Sequence, residues 1–103
     1  MEDCFRQNKG ELWICLPEEV DHHNAEEIRR KADRFLSSGY ISRLVFDFSR
    51  TVFMDSSGIG VIMGRYKQIC FMGGRMELLN ANERIDRLLR MSGIYKWIEN
   101  REG

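Results

Sequence analysis

The sequence predicts one α/β domain in the order β-β-α-β-α-β-α-β, a mixed, partly parallel β-sheet with helices packed on it. Three observations carry this. Short runs of alternating apolar residues are separated by longer runs at helical spacing. Connections of that kind between strands need a covering helix. The chain has 103 residues, room for one core and so for a single domain over 1–103.

In "ELWICLP" (11–17), Leu12, Ile14 and Leu16 fall on one face and Trp13 and Cys15 on the other, so both faces are largely apolar and the strand is an inner one. "CFRQNKG" before it is a more polar strand that turns back at Gly10. The period then changes. Ala25, Ile28, Ala32, Phe35 and Leu36 follow three-to-four spacing, with Asn24 and Glu27 as an Asn-type capping box and Gly39 as the stop. "RLVFDFS" (43–49) is a second strong strand, with Leu44, Phe46 and Phe48 alternating against Val45 and Asp47. An extended run at Val52 to Met54 leads into a second helix, read from Ile59 through Ile62, Met63, Tyr66, Ile69 and Cys70 and stopped by Gly73 and Gly74. "RMELLN" is a third central strand. "NERIDRLLRMSG" is a short helix with Ile85, Leu88 and Leu89 inward and Gly93 at its C-terminal end, and "IYKWIE" reads as a last strand.

Composition removes several functions. Hydrophobic residues make up 43% of the chain, enough for a packed core, and the single proline and absence of low-complexity runs argue against disorder. The 16 basic and 16 acidic residues balance, so the positive surface that nucleic acid requires is missing. No apolar run approaches the roughly 20 residues of a membrane span, and "MEDCFRQNKG" lacks the basic-then-apolar order of a signal peptide. A cytoplasmic protein with no membrane and no direct nucleic-acid partner is expected. Cys4, Cys15 and Cys70 are widely spaced, without a C-x-x-C pair, and are read as reduced and mostly buried thiols rather than a disulfide framework or zinc site; no metal is expected.

The chemistry gathers in "FMDSSGIGVIMG" (53–64), which allows three readings. A nucleophilic serine at a strand-to-helix elbow needs a glycine two residues earlier, but Met54 precedes Ser56 and Asp55 precedes Ser57 at that spacing. The only bases are the neighbouring loop histidines His22 and His23. A dinucleotide cradle would use Gly58, Gly60 and Gly64, yet the spacing is imperfect and Glu77 or Glu83 matches the ribose acid only loosely. In the third reading the hydroxyl itself is modified. A phosphate at a helix N-terminus meets unsatisfied N–H groups and the positive end of the macrodipole. The fold tolerates it, while a partner lying over that edge meets roughly −1.5 to −2 added charges.

"DHHNAEEIRRK" (21–31), "FMDSSGIGVIMGRYKQI" (53–69) and "RLLRMSGIYKWI" (87–98) resemble the STAS-domain anti-sigma factor antagonists, in particular the sporulation antagonists of the sigma-F pathway. The resemblance spans nearly the whole chain, and "MDSSGIG" followed by "GRYKQ" is its most specific part. It implies an α/β STAS domain that is not an enzyme and takes part in partner switching. The bare antagonist binds an anti-sigma factor that is also a serine kinase, which frees the sigma factor. The kinase, using its own ATP, phosphorylates the serine after the motif aspartate and releases the antagonist, and a PP2C-type phosphatase resets it.

Carried over residue by residue, the resemblance makes Ser56 the phosphorylated residue and Ser57 its unmodified neighbour, with no catalytic residue in the chain. Asp21 matches the family's aspartate before the first helix, as a partner contact or a local helix cap. Asp55 is a cap for the second helix or part of partner and phosphatase recognition. Gly58 and Gly60 let the kinase backbone approach and the helix pack. No cofactor is implied, and a nucleotide-binding or small-molecule sensor module on the same fold is the alternative. Two departures accompany the resemblance: Pro17 and Glu18 stand where the family has a glycine-containing loop, and "WIENREG" ends short of the final helix of many relatives, which bears on one sheet edge and on oligomeric state.

Overall fold

The computed structural model describes residues 4–101. Its elements are β1 (Phe5–Asn8), β2 (Glu11–Cys15), β3 (Glu19–Val20), α1 (Ala25–Ser37), β4 (Arg43–Asp47), β5 (Phe53–Met54), α2 (Ser56–Phe71), β6 (Arg75–Leu79), α3 (Glu83–Met91), a 3-10 turn (Ile94–Lys96) and β7 (Glu99–Arg101). Five strands form the main sheet in the order β1-β2-β4-β6-β7; β3 and β5 make a separate two-stranded sheet.

Only the β1–β2 pair is antiparallel among the described strands. Its turn uses Lys9 at φ 49° and Gly10 at φ 83°, the two left-handed residues of a tight hairpin whose twist suits the strands. The parallel pairs align Leu12 with Leu44 and Met76, and Ile14 with Phe46 and Leu78. These rows are buried with Ile28, Ala32 and Leu36 of α1 and Val61, Ile62 and Ile69 of α2. Helix α2 lies beside α1 and over β4 and β6.

The opposite face is more polar. There Arg43 donates to Glu11 and, at 2.5 Å, to the buried Glu77. Asp47 accepts from Asn80 at 3.0 Å, from the Ser49 N–H at 2.9 Å and from the Trp13 ring N–H at 3.3 Å. Burial would raise its carboxyl, but these donors outweigh it and hold Asp47 below the ordinary range.

Four expectations are corrected. The small β3–β5 sheet adds two strands to the expected order: β5 falls in the extended run read at Val52 to Met54, whereas β3, two residues long, leaves no periodicity to read. The segment from Ile94 is a 3-10 turn before β7, not one strand: Ile94 and Ile98, both buried, are four apart, with Ile98 N–H bonded to the Ile94 carbonyl at 3.0 Å. Gly93, at φ 82°, starts that turn as it ends α3. The thiols are not buried: Cys4 and Cys15 are half-buried and Cys70 is exposed. The capping box at Asn24 does not form, for a reason given with the site below.

Candidate functional site

The β3–β5 ladder assembles the site. Glu18 O accepts from Val52 N at 2.8 Å and Phe53 N at 3.2 Å, and Val20 O accepts from Asp55 N at 3.0 Å. Val20 therefore pairs with Met54. The loop 21–24 is thus carried next to the start of α2, although some thirty residues separate them in sequence.

Within the loop, Asp21 organises the turn into α1. Its Oδ1 accepts from His23 N at 2.9 Å and Asn24 N at 3.4 Å, and its carbonyl accepts from Ala25 N at 2.9 Å. Asn24 turns its side chain backwards instead, accepting from Asp21 N at 3.0 Å and donating to Glu19 O at 2.7 Å. That is why Asn24 caps nothing in α1. The Asp21 side chain closes the turn ahead of α1, reaching His23 and Asn24 rather than an N–H of the helix itself.

At the start of α2, Asp55 is extended (φ −105°, ψ −172°) and its Oδ1 accepts from Ser57 N at 2.8 Å, a side-chain N-cap. Its other oxygen lies 3.7 Å from His22 Nδ1. Partial burial would raise the Asp55 carboxyl; the bonds from Ser57 and His22 prevail and keep it low. Ser56 is exposed at the first helical position and Ser57 is half-buried behind it.

The glycines divide. A Cβ on Gly58 would stand 2.4 Å from Met54 Cγ and Sδ and 3.1 Å from Val20 Cγ1, so Gly58 lets α2 sit directly on the small sheet. A Cβ on Gly60 would meet nothing within 4 Å, leaving its exposed backbone open to an approaching chain. The structure therefore brings Asp55, Ser56, Ser57, Gly58 and Gly60 onto one helix start and sets the Asp21 loop beside it. His22, considered in the sequence only as a base for a nucleophilic serine, bridges the loop to Asp55 instead. The sequence reading missed Val52 and Phe53, 53% and 42% exposed, which offer apolar surface just ahead of Asp55. An apolar pair in an extended run reads as core, so no sequence signal marks it as surface.

Residues 5–102 match the STAS domain family. The anti-sigma F factor antagonist of Paenibacillus polymyxa is 39% identical over 92 residues, covering 89% of this chain and 79% of that protein. This chain belongs to the STAS-domain anti-sigma factor antagonists. The solved structure of the antagonist SpoIIAA in its unphosphorylated form superposes with a TM-score of 0.84 at 31% identity, over 94% of this chain and 85% of that one. The phosphorylated form of the Bacillus cell fate determinant SpoIIAA gives 0.76 at 31% identity, over 94% and 88%. Anti-sigma factor antagonists are non-enzymatic regulators. In this antagonist no helix among the described residues is long and apolar enough to cross a membrane, and no group of three or more His, Cys, Asp or Glu there is placed to hold a metal ion.

Proposed function

We propose that this antagonist is a cytoplasmic partner switch: with Ser56 bare it captures an anti-sigma factor that is also a serine kinase, and phosphate on Ser56 ends the complex. The observation that carries the reading is the placement of Ser56. Its hydroxyl is exposed at the first position of α2, while the adjacent cap is made by Asp55 and needs nothing from Ser56. A phosphate can be added there without breaking a bond that holds the helix start.

Specificity and release follow from the neighbours. Asp55, Ser57 and Gly60, with the Asp21 loop, form the polar rim of the proposed contact, and Gly58 fixes the height of α2 beneath it. Phosphate adds roughly −1.5 to −2 charges beside Asp55, and like charges facing each other across an interface cost several kcal/mol. About 3 kcal/mol lowers affinity about a hundredfold. A PP2C-type phosphatase would restore the bare serine. The names of the relatives support an anti-sigma factor as partner. A nucleotide cradle is less well supported, because the space in front of Gly58 is taken by Met54 and Val20.

The test is calorimetric titration of the organism's anti-sigma factor, with nucleotide present, into wild type, Ser56→Ala and Ser56→Asp. Tight binding by the first two and a hundredfold loss with aspartate is expected. Equal affinity for all three would refute the charge veto.

A further inference from the structure

Away from the phosphorylation edge, two thiols face each other at one end of the hairpin. The β1–β2 register that sets Phe5 against Ile14 continues by one pair to Cys4 and Cys15, and the Cys15 N–H donates to the Cys4 carbonyl at 3.0 Å. Directly opposed residues bonded in this way have Cα atoms about 5.5 Å apart and side chains on the same face. That lies within the roughly 4.4–6.8 Å that a disulfide spans. The Cβ atoms of a hydrogen-bonded pair stand toward the far end of about 4.5–5.5 Å and must be drawn inward to the roughly 3.5–4.5 Å of a disulfide. Cys4 stands outside the strand proper, before Phe5, where such movement disturbs little of the ladder.

The two sulfurs share a cavity of about 380 Å³ with Trp13, Asp47 and Arg50. Arg50 Nη1 lies 3.8 Å from Cys4 Sγ, so a guanidinium stands where negative charge develops when Cys4 acts as a nucleophile. The partner thiol is kept protonated: burial pushes Cys15 up, Cys4 and Asp47 add to this, and Arg50 only partly opposes it. One sulfur beside a cation and a second, neutral thiol facing it are the parts of a peroxide-sensitive pair.

We propose that Cys4 and Cys15 are a reversible oxidation site, closing to a cross-strand disulfide when a peroxide attacks and reopening with a dithiol reductant. The Cys4 sulfur attacks one peroxide oxygen, the O–O bond breaks, and the departing hydroxide leaves as water with the proton Cys4 gave up. Cys4 is then a sulfenic acid. The Cys15 sulfur attacks the Cys4 sulfur, the S–O bond breaks, and a second water leaves carrying the Cys15 proton. Two thiols lose two electrons, and the peroxide gains them. Because the Cβ atoms must be drawn together, the bond is a strained one and therefore readily reduced. Cys70, exposed on α2, has no such partner among the described residues and serves as an internal control.

The experiment treats the full chain with hydrogen peroxide, then reads intact mass and non-reduced peptides by mass spectrometry, with Cys70→Ser and Cys15→Ser proteins in parallel. The expected result is loss of two hydrogens from the intact mass in wild type and Cys70→Ser. A Cys4–Cys15 linked peptide should accompany it and disappear with dithiothreitol. In Cys15→Ser the link is absent and a dimedone adduct marks Cys4. If both thiols remain free to alkylate when Cys70 is already oxidised, or if the only disulfides join two chains through Cys70, the proposal is overturned. Neither reading depends on the state of Ser56.

Discussion

Arg65 of α2 reaches across to Asp33 of α1, its Nε 3.0 Å from Asp33 Oδ1, with the arginine only 8% exposed. The alignment is poor for a hydrogen bond. Asp33 Oδ1 and Arg65 Nη1 are both buried and, among the described residues, neither makes one. Burial lowers the Arg65 pKa from its ordinary value, with Asp33 opposing. The pair is thus a charge contact between the two helices rather than a well-formed bridge, and its two halves are unequal.

Removing either half should therefore give different results. Asp33→Ala leaves a buried guanidinium without its carboxylate, beside Arg29. The cost should be about 2 kcal/mol, below the 3–5 kcal/mol of fully buried pairs because Asp33 is partly exposed. Arg65→Met fills similar space, leaves Asp33 to Arg29 and water, and should stay within about 1 kcal/mol of wild type. Urea unfolding of both variants checks this, and equal losses would contradict the asymmetry.

Gly58 and Gly60 should respond in opposite senses to the same methyl group. Gly58→Ala forces Met54 and Val20 aside and should destabilise by about 1–3 kcal/mol. Gly60→Ala meets open space within a helix and should stabilise by up to about 1 kcal/mol. Thermal unfolding distinguishes the two. A Gly58→Ala protein as stable as wild type would mean that the small sheet yields freely.

Acid should weaken the fold through Asp47. Its folded pKa is depressed, so its contribution is present above the ordinary carboxyl value of about 3.9 and is lost as pH falls through the lower folded value. Asp47→Asn sets an amide N–H₂ against donors and should cost about 1–3 kcal/mol at neutral pH. The gap between the two proteins should narrow below about pH 4. Denaturant titrations between neutral pH and pH 3 measure it, and a constant gap would remove Asp47 from the acid response.

Phosphorylation at Ser56 should leave the fold in place. A phosphate at a helix N-terminus interacts favourably with the macrodipole, by about 0.3–1 kcal/mol, and here this is offset by Asp55. The unfolding free energy should change by less than about 1 kcal/mol, while affinity for the anti-sigma factor falls about a hundredfold. Ser56→Ala should accept no phosphate from the kinase and Ser57→Ala should still accept one. A large loss of stability in the phosphorylated protein would point to unfolding, not surface charge, as the release mechanism.

Where side chains repeat at a fixed period, the sequence is a good guide. The inward rows Leu12 and Ile14, Leu44 and Phe46, and Ile28, Ala32 and Leu36 are buried as their spacing predicts. The second helix begins three residues earlier than its apolar period, because Asp55 caps it ahead of any hydrophobic signal. Glu19–Val20 is illegible for a related reason, and Phe53–Met54 is legible only as an extended run: the two become strands by pairing with each other, a long-range fact that neither segment contains. The same holds for Asn24. Its residue type favours a cap, but its side chain accepts from the Asp21 N–H and donates to the Glu19 carbonyl instead. His22 next to Asp55 likewise follows from the ladder, not from local pattern.

The β3–β5 ladder is two residues long on each side and stands apart from the five-stranded sheet. It works as a clasp. Opening it would part the Asp21 loop from the head of α2 while the main sheet keeps its own bonds, so separation there is a local event, at the cost of uncovering Val20 and Met54. Amide protons at Val52, Phe53 and Asp55, whose acceptors all lie on the other side of the clasp, would exchange with solvent ahead of those in β4. The edge proposed to face the partner can thus adjust its shape while the five-stranded sheet stays paired.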